Sequence, residues 1–197
     1  MRQRRYEYLT DIINIVKPET IIEIGVARGE NAQRMIQAAG FNVEYTGFDV
    51  FDNTDKEWHK LVGNGKGVLN EEQIKSKLEP MCSQVSLVKG FTQETLWAQN
   101  YTADLVFIDG DHRSSMIIGD HKAVDGSKVI VFDDYYMAPN GDFSPPDFGC
   151  NIVVDDLDWK IITPPTQKLK DVRLAIWTAD ENIRNKLYDL LIEDAKK

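Results

Sequence analysis

"IIEIGVARGEN", Ile21 to Asn31, runs from β-branched apolar residues through a glycine turn into a polar stretch with helical spacing. A nearly continuous hydrophobic run suits a strand whose sheet is covered on both faces. Gly25 and Gly29 let the backbone turn tightly and approach a neighbour or ligand, and the helix that follows offers unpaired N–H groups to an anion. Counting outward from "TIIEIGV", the same strand type recurs at "VEYTGFDV" (Val43 to Val50), "QVSLVKG" (Gln84 to Gly90), "DLVFIDG" (Asp104 to Gly110) and "KVIVFDD" (Lys128 to Asp134).

Helical spacing fills the intervals. "ENAQRMIQAAG" puts Ala32, Met35, Ile36 and Ala39 on one face and stops at Gly40, a C-terminal cap. "NEEQIKSKLEP" starts on Asn70 with Gln73 three residues on, a capping-box pattern, and Pro80 ends it. "SSMIIGDHKAV" reads as a short helix despite Gly119. The alternation predicts an α/β, doubly wound, Rossmann-like domain with a mostly parallel sheet. After Asp134 the pattern changes: a turn-rich loop (Ala138 to Gly149), a short helix near Asn151 to Leu157, then "WKIIT" and "VRLAIWT". Their connection is too short for a parallel crossover, which needs a dozen or more residues, so an antiparallel pair is expected. An amphipathic helix, "DENIRNKLYDLLIEDAKK", closes the chain.

The 197 residues fit a single domain, 1–197, with 42% hydrophobic and 28% charged residues typical of a folded protein. The Phe51 to Pro80 connection exceeds what a crossover needs and reads either as a lid insertion or as a plain surface excursion. As a lid it would wall an acceptor pocket together with the stretch Phe143 to Phe148, Trp58 and Phe143 offering apolar faces to a ring. A net charge of -9, from 23 basic and 32 acidic residues, argues against partners that are nucleic acid or anionic membrane. "RQRR" (Arg2 to Arg5) reads as a solvated end. The absence of any apolar run near ~20 residues and of an apolar signal segment predicts a cytoplasmic protein. Cys82 and Cys150 form no metal or redox motif and read as packing residues.

A dinucleotide fingerprint aligned on Gly25 would need glycines where Ala27 and Glu30 stand, which disfavours NAD, and the phosphate loop of ATP-hydrolysing proteins is absent. The second strand ends in Asp49, an acid placed to accept hydrogen bonds from ribose hydroxyls. The tips of the fourth and fifth strands carry Asp109 and the Asp133–Asp134 pair. Carboxylates gathered at one sheet edge repel unless protonated or neutralised by a cation, and an oxygen-only set favours Mg²⁺, Mn²⁺ or Ca²⁺ over zinc.

Taken together, "IIEIGVARGEN", "YTGFDVFD", "LVKGFTQETL", "ADLVFIDGDH" and "GSKVIVFDDYY" resemble the successive motifs of class I S-adenosylmethionine-dependent methyltransferases. The nearest likeness is to the metal-dependent O-methyltransferase branch of macrolide-sugar and aminocoumarin-sugar enzymes, with catechol O-methyltransferase more distant. The likeness covers Ile21 to Tyr136 and implies a seven-stranded sheet ending in an antiparallel hairpin. It implies that Glu23, Gly25, Ala27 and Gly29 face the methionine part of the cofactor, with Asn31 at its carboxylate. Asp49 would hold the ribose and Gly90, Phe91 and Thr92 border the adenine. Asp109, Asp133 and Asp134 would be the metal ligands, Asp109 also touching the cofactor region.

Methyl transfer to a hydroxyl needs a base, and Asp111 and His112 are the candidates, histidine being the better match near neutrality. Asp111 has a second reading as a helix cap, and His59 and His121 read as surface residues. The expected activity is methylation of a hydroxyl on a sugar or other diol-bearing small molecule, assisted by a divalent metal. The alternatives are an NAD-dependent oxidoreductase and a non-catalytic cofactor-binding module. The segment before the first strand is shorter than in many relatives, which leaves three readings open: a small acceptor, a missing lid, or closure by the second subunit of a homodimer.

Overall fold

A computed structural model of the chain describes residues 2, 4–51, 69–137, 148–168 and 170–195. Seven strands are seen: β1 (Thr20–Ile24), β2 (Glu44–Asp49), β3 (Gln84–Lys89), β4 (Leu105–Ile108), β5 (Val129–Tyr136), β6 (Ile161–Ile162) and β7 (Val172–Thr178). They form one sheet in the order β3-β2-β1-β4-β5-β7-β6. The pairs from β3 across to β5 are parallel, whereas β7 runs antiparallel to both β5 and β6. The expected doubly wound sheet and antiparallel C-terminal pair are both present.

The helices are α1 (Glu7–Val16), α2 (Glu30–Ala39), α3 (Glu71–Leu78), α4 (Thr92–Thr95), α5 (Ser114–Val124), α6 (Asn151–Val154) and α7 (Glu181–Ala195). One core, built on Leu9, Ile13, Met35, Ile74, Phe107 and Leu187, lies between the sheet and helices α1, α2, α3 and α7. The other, built on Ile22, Phe48, Ile108, Ile117, Phe132 and Val154, lies against α5 and α6. Because both faces are covered, every residue of β4 is buried, which explains its unbroken apolar sequence. The capping box at Asn70 and Gln73 is formed, with bonds of 2.9 and 3.0 Å. Gly40 closes α2 at φ 93° with its N–H on the Ile36 carbonyl.

Helix α1 was not among the expected elements. Its sequence EYLTDIINIV buries Tyr8, Leu9, Ile12, Ile13 and Val16, an apolar stripe at helical spacing. Lys17 ends it in the left-handed region, its N–H bonding the Ile13 carbonyl at 2.7 Å. Gly119 inside α5 has a packing reason: a Cβ there would lie 2.2 Å from the Trp97 indole. The central part of the expected lid, 52–68, including Trp58 and His59, lies outside the described residues, as does Phe143. Among the described residues no helix is long and apolar enough to cross a membrane.

Candidate active site at the switch point of the sheet

The strand order reverses between β1, whose chain continues to β2 on one side, and β4 on the other, and ligands of open α/β sheets bind outside the carboxyl ends of strands at such a point. Gly25, just past β1, adopts φ 90°, and a Cβ there would stand 2.1 Å from the Asp109 carbonyl oxygen. The glycine is therefore demanded by contact between the tips of β1 and β4. It also opens the turn: the next N–H groups, of Val26 and Ala27, donate to Asp49 Oδ2 at 2.7 and 2.8 Å. Phe51 N–H donates to Asp49 Oδ1 at 2.6 Å. Asp49 thus ties the tips of β1 and β2 together, using three of the roughly four lone-pair sites of a carboxylate.

A cavity of about 720 Å³ opens above these tips. Of the residues singled out in the sequence, Gly25, Ala27, Asn31, Asp49, Gly90, Phe91, Thr92, Asp109, Asp111, His112 and Asp133 line it. Glu23, Gly29 and Asp134 do not. Glu23 is buried within the sheet, where Tyr45 donates its hydroxyl hydrogen bond to Glu23 Oε2. Burial pushes the Glu23 carboxyl up to about 8, so it sits neutral in the core at pH 7. Gly29 begins α2 at φ 69° against Ile74. A smaller cavity of about 320 Å³ lies at the opposite end of the sheet, beside Ile13, Lys17 and Val43.

The acids at the tips of β4 and β5 do converge, and a guanidinium lies among them. Arg5 Nε donates to Asp133 Oδ1 at 2.6 Å, and Arg5 Nη2 donates to Asp133 Oδ2 at 2.7 Å and to Asp134 Oδ1 at 2.8 Å. Tyr6 adds its hydroxyl to Asp133 Oδ2 at 2.8 Å. The Arg5 side chain is 11% exposed and that of Asp133 1%. Within the basic run expected to be a solvated end, Arg4 is exposed, but Arg5 is a buried ion-pair partner and Arg2 pairs with Asp11.

Two neighbouring residues of a regular strand point to opposite faces, yet Asp133 and Asp134 both reach Arg5. A β-bulge makes this geometry. Phe132 to Tyr135 on β5 faces Ala175 to Arg173 on β7, one residue fewer, and Asp134 takes the left-handed conformation at φ 53°. Aspartate tolerates that region better than most residues, and such outliers concentrate at functional sites.

Burial raises the Asp133 carboxyl, but Arg5 outweighs it and holds the group below the usual carboxylate range. Burial, then the charge of Asp133, pushes the Asp109 carboxyl well up. Asn31 Nδ2 donates to Asp109 Oδ2 at 3.2 Å. Asp134 Oδ2 lies 3.3 Å from His112 Nδ1. A metal ion does not fit this arrangement: both oxygens of Asp133 are held by Arg5 and Tyr6, those of Asp134 face Arg5 and His112, and Asp109 Oδ2 is held by Asn31. Among the described residues no group of three or more His, Cys, Asp or Glu side chains is set to hold a metal.

Of the two candidate bases, Asp111 accepts from Arg113 N–H at 3.0 Å and from Arg113 Nε at 3.0 and 2.9 Å. It is both a turn acceptor and half of an ion pair just before α5. His112 keeps a ring nitrogen for chemistry once Nδ1 is on Asp134. His121, expected at the surface, is instead half-buried against Phe132, with ring centroids 5.6 Å apart.

A family model described as a methyltransferase domain matches residues 22–135, from β1 to the Asp133–Asp134 bulge. The chain belongs to the methyltransferase family. Its sheet is the class I, S-adenosylmethionine-dependent type of methyltransferase fold. Solved structures of similar fold include an O-methyltransferase from Bacillus cereus in complex with SAH. The identity is 15%, the match covers 88% of this chain and 80% of that one, and the TM-score is 0.59. SAH-bound methyltransferase PaMTH1 from Podospora anserina is 16% identical over 91% and 80% of the two chains, with a TM-score of 0.59. O-methyltransferase TomG from Streptomyces achromogenes, involved in tomaymycin synthesis and in complex with SAM, is 16% identical over 89% and 79%, with a TM-score of 0.54. No curated protein matches the chain. The cavity is also lined by residues that motif reading missed: Arg5 and Tyr6 from the segment before β1, and Thr166 and Lys168 from the β6–β7 connection.

Proposed function

We propose that this methyltransferase uses S-adenosylmethionine to methylate a hydroxyl of a small molecule, a sugar or another diol-bearing acceptor. One observation carries the reading: the glycine turn, Asp49 and His112 line a single cavity at the sheet's switch point, with Asp134 3.3 Å behind the His112 ring. The volume lies in the range of small-molecule sites, about 300–1,000 Å³. The cofactor-bound neighbours in the same fold support the choice of methyl donor.

The residues fit the cofactor by their donor and acceptor chemistry. The lone-pair site left on Asp49 can accept a ribose hydroxyl, and the backbone around Gly90 to Thr92 borders the same cavity. When bound, S-adenosylmethionine supplies a methyl group on a sulfonium, transferred as the acceptor O–C bond forms, the S–C bond breaks and sulfur keeps the electron pair. The hydroxyl proton goes to His112 Nε2, while Asp134 holds the Nδ1 edge and stabilises the imidazolium. The metal-assisted version expected from the sequence would require a divalent ion to displace Arg5 from Asp133 and Asp134. Nor does NAD gain support, since Ala27 and Glu30 at the turn break its glycine fingerprint.

The test is a transfer assay with methyl-labelled S-adenosylmethionine across sugars, nucleotide sugars and catechols. Labelled product from a hydroxyl acceptor, absent with His112→Gln, supports the reading. Turnover confined to amine or thiol acceptors would overturn it.

A further inference from the structure

We propose that Arg5 is the resident cation of the Asp109, Asp133 and Asp134 cluster, standing where a divalent ion would otherwise be needed, and that it positions His112 through Asp134. The first clause concerns cation binding alone; the second rests on the function proposed above.

Three observations converge on it. The guanidinium fork meets both oxygens of Asp133 and one of Asp134 at 2.6–2.8 Å, a charge-assisted arrangement that lysine cannot reproduce. A magnesium-like ion would need the same oxygens at about 2.1 Å with room for its waters, and its two charges would repel the guanidinium. The second observation is the bulge. Without the left-handed Asp134, the two acids could not share one cation, so the backbone is built around a shared partner. Third, the segment carrying Arg5 is fastened: Tyr6 bonds Asp133, its ring meets Phe107 edge-on at 6.3 Å, and α1 is packed into the core behind it.

The consequence is a relay of position. Arg5 holds Asp134 Oδ1, and Asp134 Oδ2 holds His112 Nδ1. Arg5 is therefore a positioning residue, acting on the proton acceptor through Asp134. Removing it would take the shared cation from side chains that the bulge still holds together, leaving oxygens that a divalent ion can occupy.

The experiment is a Mn²⁺ titration, read by the electron-spin resonance of free Mn²⁺, on wild type, Asp133→Asn, Arg5→Met and the Arg5→Met/Asp133→Asn double variant. The wild type is expected to show no saturable uptake up to about 1 mM, while Arg5→Met takes up one ion at least about tenfold more tightly and the double variant loses it. Melting follows suit: Mg²⁺ raises the midpoint of Arg5→Met and leaves that of the wild type unchanged. Saturable Mn²⁺ uptake by the wild type that Asp133→Asn abolishes would overturn the proposal, as would no uptake by a folded Arg5→Met. Arg5→Lys guards against a folding failure, since it keeps one charge without the fork. It is expected to exclude Mn²⁺ while lowering kcat about tenfold with the cofactor KM unchanged; Mn²⁺ uptake by Arg5→Lys, or unaltered kcat, overturns it. The metal titrations read no turnover, so their failure is separable from a failure of the proposed function.

Discussion

At the scale of single residues, the site depends on what each carboxylate is given as a partner. Asp49 spends most of its capacity on backbone N–H groups, Asp111 on Arg113, and Asp133 on Arg5 and Tyr6. Only the pairing of Asp134 with His112 leaves a proton acceptor with a nitrogen to offer. His112→Gln is accordingly expected to lower kcat by about 10²–10⁴-fold, the usual worth of a positioned base. Cofactor affinity, measured separately by calorimetry, should hold. Comparable losses in both would mean that His112 supports the cavity and does not take the proton. Acids at the strand tips were legible from sequence because apolar runs ending in charge mark the carboxyl edge of a parallel sheet. Their partners were not legible: Arg5 lies 128 positions from Asp133, and nothing local in "RQRR" distinguishes an anchored arginine from a solvated one.

At the scale of elements, the parallel strands, α2, α3 and α5 followed from periodicity and capping, as the Asn70–Gln73 box shows. Helix α1 was not predicted although its stripe of Leu9, Ile12, Ile13 and Val16 is regular; it is one short helix ahead of the first strand, with no side-chain cap at Tyr6 to mark its start. The bulge in β5 was equally hidden, since an unbroken "VIVFDDYY" carries no glycine or proline to announce an extra residue. Helix α1 is packed into the core and follows directly on the segment that carries Arg5 to Asp133 and Asp134. Leu9→Ala, at a fully buried position, should reduce stability by about 2–5 kcal/mol in urea unfolding. A change below about 0.5 kcal/mol would show that α1 is not part of the cooperative core.

At the scale of the whole molecule, the net charge of -9 coexists with a cavity whose lining is balanced, Arg4, Arg5, Arg28, Arg34 and Lys168 standing against Glu30, Asp49, Asp109, Asp111 and Asp133. A buried acid away from the reaction sets a testable pH dependence. Burial pushes Asp120 up to about 6, the Trp97 and Thr92 hydrogen bonds only partly opposing it. A folded-state value above the unfolded one means that the folded form binds the extra proton between about pH 4 and 6. Stability therefore falls as pH rises through that window and levels off above it. Asp120→Asn should flatten this slope by up to about 3 kcal/mol between pH 4 and 7, followed by urea unfolding at each pH. An unchanged slope would assign it elsewhere. The proposed activity requires the switch-point cavity to bind the methyl donor against Asp49, and calorimetric titration with S-adenosylhomocysteine measures that binding. The expected result is one saturable site per chain, weakened at least about tenfold by Asp49→Ala, a difference of about 1.4 kcal/mol. No saturable binding to the wild type, or equal binding to Asp49→Ala, would contradict it.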